Sequence, residues 1–99
     1  MAVAVQLDFM GATLDQYDQI NEAIGRLPGG PASRHELFHW VTAIDDGFRV
    51  VDVWESRDSF DRFLHERLQP AFAELGFSRQ PEVRFFDVYN YSVGERFGS

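Results

Sequence analysis

The sequence predicts an α+β domain whose elements run strand, helix, strand, strand, helix, strand. Three observations predict it. Val3 to Phe9 alternates, with Val3, Val5, Leu7 and Phe9 on one face and Gln6 and Asp8 on the other, as in a half-buried strand. Two segments, opening at Thr13 and at Ser56, repeat apolar residues at helical spacing. Between them, Asp45-Asp46-Gly47 separates two runs rich in aromatic and β-branched residues, the pattern of a hairpin.

Each element has its own start and stop. Gly11 ends the first strand. Thr13 is an N-cap with Gln16 three residues on, a capping box for a helix that buries Leu14, Tyr17, Ile20, Ile24 and Leu27. That helix stops before Pro28, because proline disfavours a helical residue ahead of it, and Pro28-Gly29-Gly30-Pro31 reads as a loop. Arg34 to Ile44 and Phe48 to Trp54 form the hairpin strands. Ser56 caps the second helix, whose stripe is Phe60, Phe63, Leu64, Leu68, Ala71, Phe72 and Leu75. Pro70 lies inside that stripe and should kink the helix or start a second one. Gly76 suits the position after the helix end, Pro81 introduces the last strand, Glu82 to Tyr91, and Ser92 to Ser99 reads as a frayed tail.

This order is the ferredoxin-like split βαβ arrangement, with two helices on one face of a four-stranded antiparallel sheet. The other face should then meet water. The sequence does not make it polar. Leu37, Val41 and Ala43 oppose Phe38, Trp40 and Ile44; Val50 and Trp54 oppose Val51 and Val53; Val83, Phe85 and Tyr89 oppose Phe86 and Val88. Two apolar faces call for a cover, and a second copy of the sheet under two-fold symmetry is the simplest. The expectation is a homodimer packed sheet to sheet.

The length of 99 residues suits one domain, residues 1–99. The formal net charge is −7, and the nine basic residues, all arginine, are scattered, so neither nucleic acid nor an anionic membrane is an expected partner. No cysteine is present, which rules out disulfides and thiolate metal sites and fits a reducing cytoplasm. Met1 to Met10 lacks a basic start and is broken by Asp8, so it is not read as a signal peptide. No run approaches the ~20 apolar residues of a membrane span.

The stretch Gly47-Phe48-Arg49-Val50-Val51-Asp52-Val53-Trp54-Glu55-Ser56, followed by Phe60 and Phe63, resembles the strand, Trp-Glu-Ser, helix core of the dimeric α+β-barrel superfamily. Its nearest likeness there is to the antibiotic-biosynthesis-monooxygenase-like proteins. The resemblance implies a two-fold dimer with a small-molecule pocket between sheet and helices in each subunit. It also implies a choice of chemistries: some members oxidise polyphenols with O₂ and no metal or flavin, others bind or degrade haem. The haem-degrading members carry a ligand histidine late in the second helix, where this sequence has Phe72, so no cofactor is expected.

His39 is the first candidate for chemistry. It sits between Phe38 and Trp40 in an apolar strand, and its ordinary pKa of about 6.5 suits proton transfer. Asp52 lies between Val51 and Val53, and a buried carboxylate needs a partner. If Asp46-Gly47 is a two-residue turn, Val41 faces Asp52, His39 faces Trp54, and His39 and Asp52 are diagonal neighbours on one face. If Asp45-Asp46-Gly47 is a three-residue turn, the register shifts and Trp40 replaces His39 there. Trp54, Tyr17, Trp40, Phe60 and Tyr89 are candidates for an aromatic ligand pocket, or for ordinary core. The Tyr17 hydroxyl would need a polar partner if buried, and Asp87 repeats the Asp52 question on the last strand.

No metal site is expected. His35 and His39 would lie about 13 Å apart along a strand, and His65 falls on the polar side of the second helix. Two readings follow. One is a cofactor-independent, monooxygenase-like enzyme acting on a small aromatic or polyketide-like compound, with His39 as acid or base and Asp52 as its orienter. The other is a noncatalytic ligand-binding or assembly domain whose polar groups satisfy one another inside a closed core.

Overall fold

A computed structural model describes residues 2–26, 35–77 and 79–92. The Pro28–Pro31 loop, Leu27, Arg34 and the tail after Ser92 lie outside the described residues. The strands are β1 (Val3–Met10), β2 (Glu36–Ile44), β3 (Gly47–Trp54) and β4 (Glu82–Asp87), and the first helix is α1 (Leu14–Ile24). The second helical segment is α2 (Arg57–Phe63), a π-helical turn at Leu64–Leu68, and α3 (Gln69–Leu75). All strand pairs are antiparallel, in the order β2-β3-β1-β4. This is the ferredoxin-like α+β arrangement the sequence predicts.

Local chemistry explains the boundaries. The Thr13 hydroxyl accepts from the Gln16 amide at 3.2 Å, and the Gln16 side chain accepts from the Thr13 amide at 2.9 Å, which completes the capping box. Gly25 ends α1 in the left-handed region at φ 77°, and the Arg26 amide closes back on the Asn21 carbonyl at 2.9 Å. Ser56 Oγ accepts from the Ser59 amide at 3.1 Å and starts α2.

Pro70 lies in the first turn of a second short helix, α3, one of the two outcomes the sequence predicts. The turn before it widens, and the Gln69 amide bonds back five residues to the Leu64 carbonyl. A π turn accommodates a residue that lacks a donor and would crowd the carbonyl four back. It also sets the spacing of the buried stripe, which steps from Phe63 to Leu68 and resumes at Ala71 and Phe72.

Three further expectations are corrected. Leu14 is 45% exposed, because the first turn of α1 overhangs the core. The last strand stops at Asp87; the Val88 amide reaches Ala2 O at 3.2 Å, and beyond it Tyr89 stands in solvent. The hairpin turn is Asp45-Asp46, with Ile44 opposite Gly47, one residue earlier than the two-residue turn considered and not the three-residue turn.

The inner face carries the core: Val3, Val5, Leu7 and Phe9 of β1, Phe48, Val50 and Trp54 of β3, with Ile20, Ile24, Phe60, Phe63, Leu68 and Phe72 from the helices. Phe9 stacks on Phe48 with ring centroids 4.6 Å apart and meets Phe72 edge-on. The outer face is graded rather than uniformly apolar. The pairings align Phe38, Val53, Ala4 and Phe86 in one row across all four strands, then Trp40, Val51, Gln6 and Arg84, then Thr42, Arg49, Asp8 and Glu82. In the last of these rows Arg49 holds Asp8 in a two-pronged bond at 2.7 and 2.9 Å.

Candidate functional site

The register places His39 directly opposite Asp52 on the inner face, closer than the diagonal expected. Directly opposed side chains have Cβ atoms about 5 Å apart, and here they bond: His39 Nδ1 lies 2.7 Å from Asp52 Oδ1. From above, α1 lowers Tyr17 onto the ring, with its hydroxyl 2.9 Å from His39 Nε2. The two rings lie nearly parallel at 6.3 Å. The indole of Trp54, two residues along β3, donates to Asp52 Oδ2 at 3.3 Å. A neutral His39 that donates from Nδ1 to Asp52 leaves Nε2 as the acceptor of the Tyr17 proton. This is the geometry of a base oriented by a carboxylate, with its working nitrogen turned toward the helix layer.

Two residues of this cluster were not singled out in the sequence. Glu36 lies with its Oε2 3.8 Å from His39 Nδ1, and its other oxygen is ion-paired with Arg26. Strict alternation would put Glu36 and His39 on opposite faces, three residues apart. A register shift between Glu36 and Phe38 turns Glu36 inward, opposite Trp54. The signal available was an acidic residue at the start of an apolar strand, with no way to know that the strand bulges.

The bulge also gathers Glu36, His39 and Asp52 so that one donor atom from each lies within 4.8 Å of the others. The expectation of no metal site rested on the absence of cysteine and the placement of the histidines, neither of which sees these carboxylates. A cation held there would have to displace the His39–Asp52 bond and share Glu36 with the Arg26 guanidinium.

Beside the cluster is a cleft of about 30 Å³, between α1 and the sheet. Its polar wall is Tyr17, Asn21, Arg26, Glu36 and Asp52; Phe9, Phe48 and Phe63 are among its apolar lining. The other aromatic candidates lie elsewhere. Trp54 is buried behind Asp52 against Phe60 and Phe63, and Phe60 is core, packed edge-on to Trp54 and Phe85. Trp40 faces outward at 45% exposure because the register turns it to the other side, and Tyr89 lies past the end of β4. Neither joins the cleft, and Asp87 is exposed on the edge strand.

No protein-family model matches the sequence, and no curated protein matches it either. Among solved structures, the chain is similar to a point mutant of SnoaB, a cofactor-independent oxygenase from Streptomyces nogalater, at 14% identity and a TM-score of 0.57, covering 91% of this chain and 94% of that one. The chain therefore shares the α+β fold of that structure over nearly its whole length.

Proposed function

We propose that the chain is a small-molecule enzyme of the monooxygenase-like kind, which takes a proton from a phenolic or enolisable aromatic compound at His39. The observation that carries this reading is the Tyr17–His39–Asp52 chain of hydrogen bonds, whose outer members Tyr17 and Asp52 line the cleft while His39 lies behind them. A substrate hydroxyl that takes the place of Tyr17 at Nε2 would pass its proton to the imidazole, and Asp52 would stabilise the resulting imidazolium. The anion left behind is electron-rich, the form in which such compounds react with O₂. The fold shared with a cofactor-independent oxygenase supports the same chemistry.

The proposal includes a homodimer. The row Phe38, Val53, Ala4 and Phe86, with Trp40 and Val51 beside it, is the part of the outer face a second copy would cover. Phe38, Trp40 and Phe86 are each more than 40% exposed in the single chain.

A noncatalytic binding domain is the second reading. It is favoured by one observation: His39, Asp52 and Tyr17 already satisfy one another beside a cleft with room for about two water molecules. Oxygen uptake with a panel of hydroxylated naphthalenes separates the two. The enzyme reading expects uptake that His39→Ala lowers by about 10²–10⁴-fold, in a variant whose circular dichroism is unchanged. Uptake that survives the substitution would remove His39 from the mechanism, and no uptake with any member of the panel would favour the binding domain.

A further inference from the structure

With room for about two water molecules, the cleft admits an aromatic ligand only if one wall moves. Its floor does not: β1 is hydrogen-bonded along both edges, to β3 and β4, and β3 to β1 and β2. Its roof is α1, which contributes Tyr17, Ile20, Asn21 and Ile24. Of the 11 residues of α1, only Ile20 and Ile24 are buried. A helix this short is marginal on its own and is held by what it docks on.

Among the described residues, two side-chain hydrogen bonds clasp α1 to the rest of the fold. At one end the Tyr17 hydroxyl bonds His39 Nε2. At the other, the Arg67 guanidinium, from the π turn, donates to the Ile24 carbonyl in the last turn of the helix. Glycines in the left-handed region flank α1 on both sides, Gly11 and Gly25, each at φ 77°. Such terminal positions absorb backbone rotation most easily.

We propose that α1 is the gate of the site, swinging off the sheet between Gly11 and Gly25 when a ligand hydroxyl replaces Tyr17 at His39 Nε2. Tyr17 is then a clasp that the ligand displaces, not a contact the ligand gains. The ligand's part in this rests on the functional reading above; the separate opening of α1 does not.

Amide hydrogen exchange on the full chain tests the gate without a ligand. The α1 amides should exchange through a local opening, faster than those of β1 and β3. Arg67→Met, outside the cleft, and Tyr17→Phe should each speed α1 exchange by about fivefold and leave β1 and β3 unchanged. Exchange of α1 at the β1 rate, no response to either substitution, or equal acceleration everywhere would overturn the gate. A second arm follows 1-naphthol binding by fluorescence. Removing either clasp lowers the cost of opening, so both variants should bind 1-naphthol tighter than the unaltered chain. Unchanged or weaker binding by Tyr17→Phe would make Tyr17 an ordinary ligand contact and reject the gate. If 1-naphthol binds no form of the chain, the small-molecule reading is what falls, and the exchange rates alone decide the gate.

Discussion

Asp52 is a buried carboxylate that receives both of its hydrogen bonds from ring nitrogens, His39 Nδ1 and Trp54 Nε1. Replacing Trp54 by Phe keeps the packing against Phe60 and Phe63 but leaves Asp52 Oδ2 without that donor. Urea unfolding should show a loss of about 1–3 kcal/mol. On the outer face, the Arg49 guanidinium bonded to Asp8 holds the Asp8 carboxyl below its ordinary range. A carboxyl depressed by folding adds stability above its unfolded pKa, and that stability is lost as pH falls through the folded value. Asp8→Asn should therefore unfold more easily at pH 7, with the difference closing below about pH 4. Asp52 and His39 were legible in the sequence as polar residues embedded in apolar strands. Glu36 and Arg26 were not, because their partnership depends on a bulge and on the end of a helix, neither of which leaves a local pattern.

At the scale of elements, sequence signals with a short-range cause were the readable ones. The Thr13–Gln16 capping box and the Ser56 cap form as their side-chain chemistry requires. Ser56→Ala should cost about 1 kcal/mol in thermal or urea unfolding. Signals that depend on neighbouring elements were less readable. Asp45-Asp46-Gly47 announced a turn, but the turn uses the two aspartates and returns Gly47 to the strand opposite Ile44. Gly47 is needed there because a Cβ would collide with the backbone carbonyl of Phe9 on the adjoining strand. Gly47→Ala should therefore cost about 1–3 kcal/mol and weaken the β1–β3 pairing. Pro70 announced a disturbance, while its form, a π turn five residues long, depends on how Phe63 and Leu68 reach the same core.

At the scale of the molecule, alternation alone made both faces of the sheet look apolar. The cross-strand register divides the outer face into an apolar row and a charged row, a distinction only pairing can reveal. The proposed homodimer should therefore close on Phe38, Trp40 and Phe86, and sedimentation of Phe86→Glu should find a weaker dimer than the unaltered chain. The functional proposal depends on one event, transfer of a phenolic proton to His39. The most direct test is the absorbance of 1-naphthol titrated with pH in the presence of the chain. Bound 1-naphthol should show its naphtholate band at a lower pH than free 1-naphthol, and the difference should vanish with His39→Ala. A bound naphthol that ionises at the same pH with and without His39 would contradict the assignment of His39 as the base.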